Sequence, residues 1–494
     1  MVRKALSELF FAEGQNFRDS GILVKALDGT IFGPVFARMG ALVGDDLALT
    51  QILRTKGHGG NSNCPVCKNV VRVSSGLAES DATGYLVTHA ESDITKFDEH
   101  TDQTLWQALD RVLATPRPQA AALEVALGLH RDEHCLVADN RLREYYGPIS
   151  TLMFDFSHVF LINGLVQFEM GAFLLAAKPF RITYPALNRY FAAWTWPKHE
   201  HNPPVHLFND AHDGHPGEFK AGSSECLSMY GVFRKFVADF VPANVLVEER
   251  KSLFSLFACL DAWKAYQASR LLEPARWERE ICFHHEQFKQ TYGVELVKPK
   301  HHRALHLVSM LRRHGYLQAT LVHERRHKEF KEFAREIKVD AGFELAATKL
   351  VLNHHSLKLQ DETLFLTGTA ILKPSPVPSQ FVSILPAADS WEHGAGIKVR
   401  GLSSCVGDVI VLQGAQLSIA ILKAALVRVH GAERRPLLLV QHCTHVQGMI
   451  WRPGGLDLAE ANTLRGPCTW CSKDGTDICV VMPGDCMWDA RCGR

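Results

Sequence analysis

Two segments far apart in the chain carry the residue types of a metal centre. Cys64-Pro65-Val66-Cys67 is a C-x2-C pair, a spacing that lets two thiolates face one tetrahedral ion. In Lys298-Pro299-Lys300-His301-His302-Arg303-Ala304-Leu305-His306, residues His302 and His306 are four apart and share one face of a helix, with His301 an alternative ligand. Together the two halves make a Cys2His2 set suited to structural Zn2+; free thiols beside solvated histidines are the bland reading. A second pair, Cys468-x2-Cys471, precedes Cys479, Cys486 and Cys492, without regular spacing between its halves. It is a lesser candidate for zinc.

Acidic residues supply a different chemistry. Phe154-Asp155-Phe156-Ser157-His158 places an acid and an imidazole three apart in the apolar segment from Leu152 to Leu165. Burying either unpaired is costly, so a helix cap, an Asp–His hydrogen bond or catalytic duty must engage them. His323-Glu324-Arg325-Arg326-His327 satisfies H-E-x-x-H, the motif of zinc metalloproteases. Arg325, Arg326, Lys328 and Lys331 on the same helix argue against burial in a protease cleft; Glu324 offers a carboxylate to a divalent cation, against the simpler reading of a charged, solvent-facing helix with i,i+4 pairs. Residues 298–338 hold eleven Lys or Arg against four Glu, a local excess of +7. Lys298, Lys300, Arg303, Arg312, Arg313, Arg325, Arg326 and Lys328 are therefore candidate phosphate contacts, against the simpler reading of a solvated helical face.

The elements that must position these residues follow from patterning. At 494 residues, with 46 % apolar and 22 % charged side chains, the chain is a folded multidomain protein, which excludes wholesale disorder, collagen and simple coiled coil. A net charge of +1 gives no global attraction to polyanions or membranes. The N-terminal apolar run is broken by Ser7, Glu8 and Glu13, and the longest apolar stretch, Val409 to Val429, by Gln413, Gln416, Lys423 and Arg428. Neither a signal peptide nor a membrane span is expected, and the thirteen cysteines suit reduced thiols or metal ligands in an intracellular setting.

Short strands are expected at Ile22-Leu23-Val24, Val35-Phe36-Ala37 and Ala41-Leu42-Val43, the last running into Gly44-Asp45-Asp46. A glycine-rich loop then leads into Cys64. Helical spacing dominates from about 76 to 290, interrupted by a long Pro/His/Asp/Gly-rich loop from Trp196 to Gly222. The basic segment follows, then a linker around Pro374, Pro376 and Pro378, then alternating runs such as Val406 to Leu412 and Leu437 to Gln441. The expected organisation is 1–75 core with the C-x2-C knuckle, 76–290 helical insertion, 291–345 basic helices completing the core, 346–380 linker and 381–494 a small β-rich module.

The order of these blocks resembles the transposases of CACTA-type (En/Spm-like) cut-and-paste DNA transposons. Leu42-Val43-Gly44-Asp45-Asp46 with Gly57, Gly60 and Cys64-Pro65-Val66-Cys67 looks like the family's Asp, glycine-loop and CPxC block. Phe154-Asp155-Phe156-Ser157-His158 is similar to its Asp-x-Met-His block, with Ser157 in place of Met. Lys298-Pro299-Lys300-His301-His302-x3-His306 looks like its KPKxHxxxH block, and Glu324 falls where the catalytic Glu falls. The resemblance implies an α/β, RNase H-like core with a large α-helical insertion, DNA as partner, a nuclear or intracellular location and, if active, Mg2+ or Mn2+ held by acidic residues for strand cleavage and transfer. On it Asp45 and Glu324 match catalytic positions, Asp155 is a third carboxylate to consider, and Cys64, Cys67, His302 and His306 match a structural Zn2+ site.

One departure shapes the functional expectation. The family's first catalytic Asp lies on an opening strand well upstream of the second. Asp28-Gly29 imitates it, but the 17 residues to Asp45 leave no room for the intervening strands at about five to six residues each plus turns. The expectation is an incomplete, transposase-derived chain with impaired catalysis, compatible with a homo-oligomer. The competing expectation is a non-catalytic, zinc-stabilised DNA-binding or interaction protein, and a metalloprotease is the remote third.

Overall fold

The computed structural model describes residues 2–25, 29–57, 60–198, 207–208, 215, 219–269, 273–320, 331–332, 335, 337, 343–359, 369–387, 389–399, 402–414, 416–431 and 433–482. Its helices are α1 (Val2–Phe11), α2 (Asp46–Leu53), α3 (Leu77–Ser80), α4 (Asp102–Ala114), α5 (Arg117–Leu127), α6 (Leu165–Ala177), α7 (Tyr184–Ala192), α8 (Ser223–Phe240), α9 (Val247–Ser269), α10 (Pro274–Tyr292), α11 (Pro299–His314), α12 (Phe343–Leu359) and α13 (Ser379–Val382). The strands are β1 (Ile22–Lys25), β2 (Ile31–Val35), β3 (Leu42–Gly44), β4 (Val70–Val71), β5 (Val87–Thr88), β6 (Leu152–Phe154), β7 (Thr369–Ser375), β8 (Ser390–Val399), β9 (Leu402–Cys405), β10 (Val409–Gln413), β11 (Leu417–His430), β12 (Glu433–Gln447), β13 (Ile450–Glu460), β14 (Leu464–Lys473) and β15 (Asp477–Val481). The architecture is mixed helix and strand. Contacts divide the chain into two compact units, the first made of Met1–Met170, Glu248–Cys259 and Glu273–Leu321, the second of Gly171–Val247, Leu260–Leu272 and Val322–Arg494.

The first unit is mostly helical, with strands in pairs. β1 and β2 form an antiparallel hairpin, while β3 pairs in parallel with β6, Leu42 opposite Leu152 and Gly44 opposite Phe154. α2 starts directly after β3 because Asp45, in extended conformation, accepts a hydrogen bond from Ala48 N at 2.7 Å and caps the helix. α11 begins at Pro299, which needs no N–H partner at that position, and ends at Gly315 with φ +72°. Its first turn is closed by the Lys298 amide, which donates to His301 Nδ1 at 3.0 Å.

The second unit is built on one antiparallel sheet of nine strands. β10, β14, β15, β13, β12 and β11 pair in that order, and β10 pairs back with β11, so six strands close into a barrel. Closure removes the unpaired edges that invite aggregation. Val409 and Val411 of β10, Ile419, Cys443, Cys468, Ile478 and Val480 form one cluster from five ring strands, with Trp451 of the sixth packed on it. A second cluster uses the other faces of the same strands, including Ile410, Leu412, Ala420, Leu438 and Val440, together with Ile397 and Val399 of β8. β10 is therefore buried on both sides, which explains its unbroken run Val-Ile-Val-Leu.

Two expectations change. The linker at 346–380 instead contains α12 and the strand β7, which pairs only with β8 in the main strand order. Pro374 sits within β7, and an edge strand tolerates a residue that cannot donate to the ladder. The β-rich module is consequently larger than expected and starts before residue 381. The helical region 76–290 is mainly helical but is shared between both units.

Ser157–Phe180 is one helical stretch long and apolar enough to cross a membrane, and 78 % of its most apolar window is buried. Within it Glu169 is fully buried and bonded by Ser252 Oγ and His284 Nε2, each at 2.6 Å, as expected of a core helix.

Candidate metal centre

The loop after α2 delivers Cys64 and Cys67 to the buried face of α11. Gly60 serves close approach: a Cβ there would come within 2.9 Å of Gly128 Cα, where α5 ends with φ +66°. Cys67 is fixed by a single antiparallel bridge to Glu99. From α11, His302 and His306 reach the same point, one turn apart. Cys67 Sγ lies 3.5 Å from His302 Nε2 and 3.2 Å from His306 Nε2, Cys64 Sγ lies 3.5 Å from His306 Nε2, and the two Nε2 atoms are 3.0 Å apart. All four ligand atoms fall within 4.8 Å of one another, and all four residues are buried.

These edges match a known polyhedron. With Zn–S near 2.3 Å and Zn–N near 2.0–2.1 Å, tetrahedral coordination gives S···N edges of about 3.6 Å and an N···N edge of about 3.3 Å. The observed edges fall a few tenths of an ångström short, so a small expansion seats the ion. A divalent cation engages all four buried ligand atoms at once, where hydrogen bonds join them only in pairs. Among the described residues, no other set of three or more His, Cys, Asp or Glu converges in this way.

Electrostatics among the four ligands favour one thiolate, at Cys64, paired with a charged His306; binding a cation releases the protons of Cys67 and His306. Burial opposes a thiolate at Cys64, yet the hydrogen bond from Cys67 and the charges of His302 and His306 outweigh it and hold that thiol well below the usual range. Burial and then the bond to Cys64 push the Cys67 thiol up. His306 rises to about 9 against the effect of its burial, because Cys64 and Glu99 stabilise its charged form. Glu99 Oε1 accepts from His306 Nδ1 at 3.0 Å, fixing the ring so that Nε2 faces the thiols. Phe97 orients the other imidazole, meeting the His302 ring edge-on at 4.7 Å.

The structure distinguishes the neighbouring histidines. His301 is turned away from the thiols, caps α11 through Nδ1 and packs on Phe288 at 4.3 Å. Glu99 and Phe97 carry no signal in the sequence; nothing in their spacing from Cys67 marks them.

The acidic residues are placed differently. Asp45 and Asp155 each follow the last residue of a paired parallel strand, so they stand side by side at the ends of β3 and β6. Asp45 is half-buried and occupied as the α2 cap. Asp155 is 1 % exposed and accepts from Thr320 N at 2.8 Å, Thr320 Oγ1 at 2.7 Å, Ser157 N at 3.2 Å, His158 N at 3.2 Å and His158 Nδ1. Five donors exceed the roughly four lone-pair sites of a carboxylate. Although burial opposes ionisation, the bonds from His158 and Thr320 hold Asp155 below the usual carboxylate range. Asp155 therefore offers no free lone pair to Mg2+, and it serves to tie β6 to the segment after α11. Glu324, with His323 and His327, lies outside the described residues.

The described basic candidates are all engaged within the molecule. Arg303 pairs with Asp46, Arg312 grips Glu278 with both terminal nitrogens at 2.7 and 2.9 Å, and Arg313 donates to Ile149 O at 2.6 Å. Lys298 Nζ lies over Phe168 at 4.8 Å, and Lys300 Nζ donates to Asn163 O at 2.8 Å. Arg325, Arg326 and Lys328 lie outside the described residues.

The second C-x2-C pair behaves unlike the first. Cys468 and Cys471 both lie on β14, where an odd spacing sends side chains to opposite faces. Cys468 joins the barrel cluster and Cys471 faces the other way, so the two cannot share one ion. Cys486 and Cys492 lie outside the described residues. Comparison of the chain with family models, with curated proteins and with solved structures finds no match.

Proposed function

We propose that this chain is transposase-derived: an RNase H-like core, pinned by Zn2+ on Cys64, Cys67, His302 and His306, that binds DNA, with strand cleavage lost or impaired. One observation carries this reading. The C-x2-C loop and the H-x3-H helix, more than 230 residues apart, meet in one buried cluster, beside a parallel strand pair that ends in Asp45 and Asp155. The meeting of the two ligand blocks is what the CACTA-type resemblance implies for its CPxC and KPKxHxxxH blocks.

The second reading, a non-catalytic zinc-stabilised DNA-binding protein, is favoured by the saturated Asp155 and the capping Asp45. Asp155 is saturated by its own hydrogen bonds, so no catalytic step is assigned to the Asp45 and Asp155 pair. DNA as partner and a nuclear or intracellular location remain part of the proposal.

The test uses the zinc-loaded full chain with duplex DNA over a salt series, with and without Mg2+ or Mn2+. The expected result is binding that weakens steeply with salt and no nicking. Metal-dependent nicking lost in Asp45→Asn and Glu324→Gln would restore the competent-enzyme reading. Absence of salt-sensitive binding would remove DNA from the account.

A further inference from the structure

Cys471 of β14 and Cys479 of β15 are direct cross-strand partners in the barrel wall. Their side chains leave the sheet on the same face, opposite to that of Cys468, Ile478 and Val480. Directly opposed residues of an antiparallel pair have Cα atoms about 4.5–5.5 Å apart, within the about 4.4–6.8 Å that a disulfide spans. Both are free thiols here; Cys479 is buried and Cys471 half-buried, which leaves a route from solvent to the pair. α8 covers this face: a Cβ on Gly231 would meet Val481 Cγ1 at 2.8 Å. Lys235 of α8 brings a positive charge to the thiols and is paired with Asp239, whose Oδ2 accepts from Tyr190 OH at 3.3 Å.

We propose that Cys471 and Cys479 are a redox-active dithiol, converted by peroxide to a cross-strand disulfide that locks β14 to β15. In the first step the Cys479 thiolate attacks one peroxide oxygen. The O–O bond breaks, the leaving hydroxide takes a proton to become water, and Cys479 becomes a sulfenic acid. Cys471 then attacks the Cys479 sulfur and gives up its proton. The S–O bond breaks and a second water leaves. Two thiols and one peroxide thus give one disulfide and two waters, the sulfurs losing the two electrons that the peroxide gains. Cys479 suits the first step, since the bond from Cys471, with help from Lys235, lowers its thiol to about 7 against the effect of burial. Cys64 and Cys67 are both buried in the Cys2His2 cluster, without a half-buried partner thiol like Cys471 to admit peroxide.

The experiment treats the zinc-loaded full chain with graded hydrogen peroxide, alkylates the remaining thiols and maps peptides without reduction. Trypsin joins Cys468 to Cys471 in one peptide and Cys479 to Cys486 in another, so fragment ions must place the link. The expected result is a Cys471–Cys479 bond forming at the lowest dose among the thirteen cysteines and reversed by a dithiol reductant. Cys471→Ser should leave a sulfenic acid on Cys479 that dimedone traps; Cys479→Ser should give neither product. Equal alkylation of Cys471 and Cys479 before and after peroxide in the wild type would overturn the proposal, as would a link made instead through Cys468 or Cys486.

Discussion

Cys64-x2-Cys67 and Cys468-x2-Cys471 have the same spacing and opposite fates. The first lies in a loop, free to turn both sulfurs toward one point, and meets two imidazoles one helical turn apart. The second lies on a strand, where three residues separate the two faces of the sheet, so one sulfur enters the barrel and the other meets Cys479. Spacing alone therefore does not make a ligand pair; the backbone that carries it decides.

The same substitution at the two motifs should separate them most widely. Cys64→Ser, like His306→Ala, is expected to abolish stoichiometric zinc and destabilise the first unit by more than about 5 kcal/mol, since structural zinc contributes about 10–16 kcal/mol in finger peptides. Cys468→Ser should keep the full zinc content and lose only about 1–3 kcal/mol from a hydroxyl placed in an apolar cluster. Metal analysis with denaturant titration reads both; equal zinc loss in the two variants would break the comparison. A smaller effect is expected from Glu99→Ala, which removes the partner of His306 Nδ1 and should weaken zinc affinity by about 10–100-fold without changing saturation stoichiometry. Competition with a chelator measures it.

A pH effect of comparable size should come from His285. Its ring is buried, neither nitrogen has a hydrogen-bond partner among the described residues, and burial holds its pKa well below the usual value. Below about pH 6.5 the unfolded chain binds a proton there that the folded chain does not, so stability falls as pH drops, by up to about 1.4 kcal/mol per pH unit. Stability curves for the wild type and His285→Phe between pH 7.5 and 5.5 should diverge; parallel curves would contradict the assignment. The smallest effect on the metal is at His301. Replacing this buried cap by Ala should lose no zinc and cost about 2–5 kcal/mol through the lost cap and the cavity beside Phe288, whereas His302→Ala should lose the metal.

Much of this arrangement is legible in the residues themselves. The i, i+4 pair of His302 and His306 and the tight C-x2-C both carry geometry in their spacing, so their convergence is readable. The choice between His301 and His302 is not, because it depends on how α11 is rotated against Phe288 and Phe97. Short apolar runs such as Leu437 to Gln441 identify β12, but ring closure through β10 and β11 depends on pairings that no local pattern encodes. Pro374 conceals β7, since its meaning changes at a sheet edge. Glu99 and Thr320 act through tertiary contact alone and leave no signal in the sequence.

X-ray absorption at the zinc edge of the purified full chain tests the central claim most directly. The account predicts one zinc per chain with two sulfur neighbours at about 2.3 Å and two nitrogens at about 2.0–2.1 Å. A folded chain without zinc, or zinc bound only by nitrogen and oxygen, would contradict it.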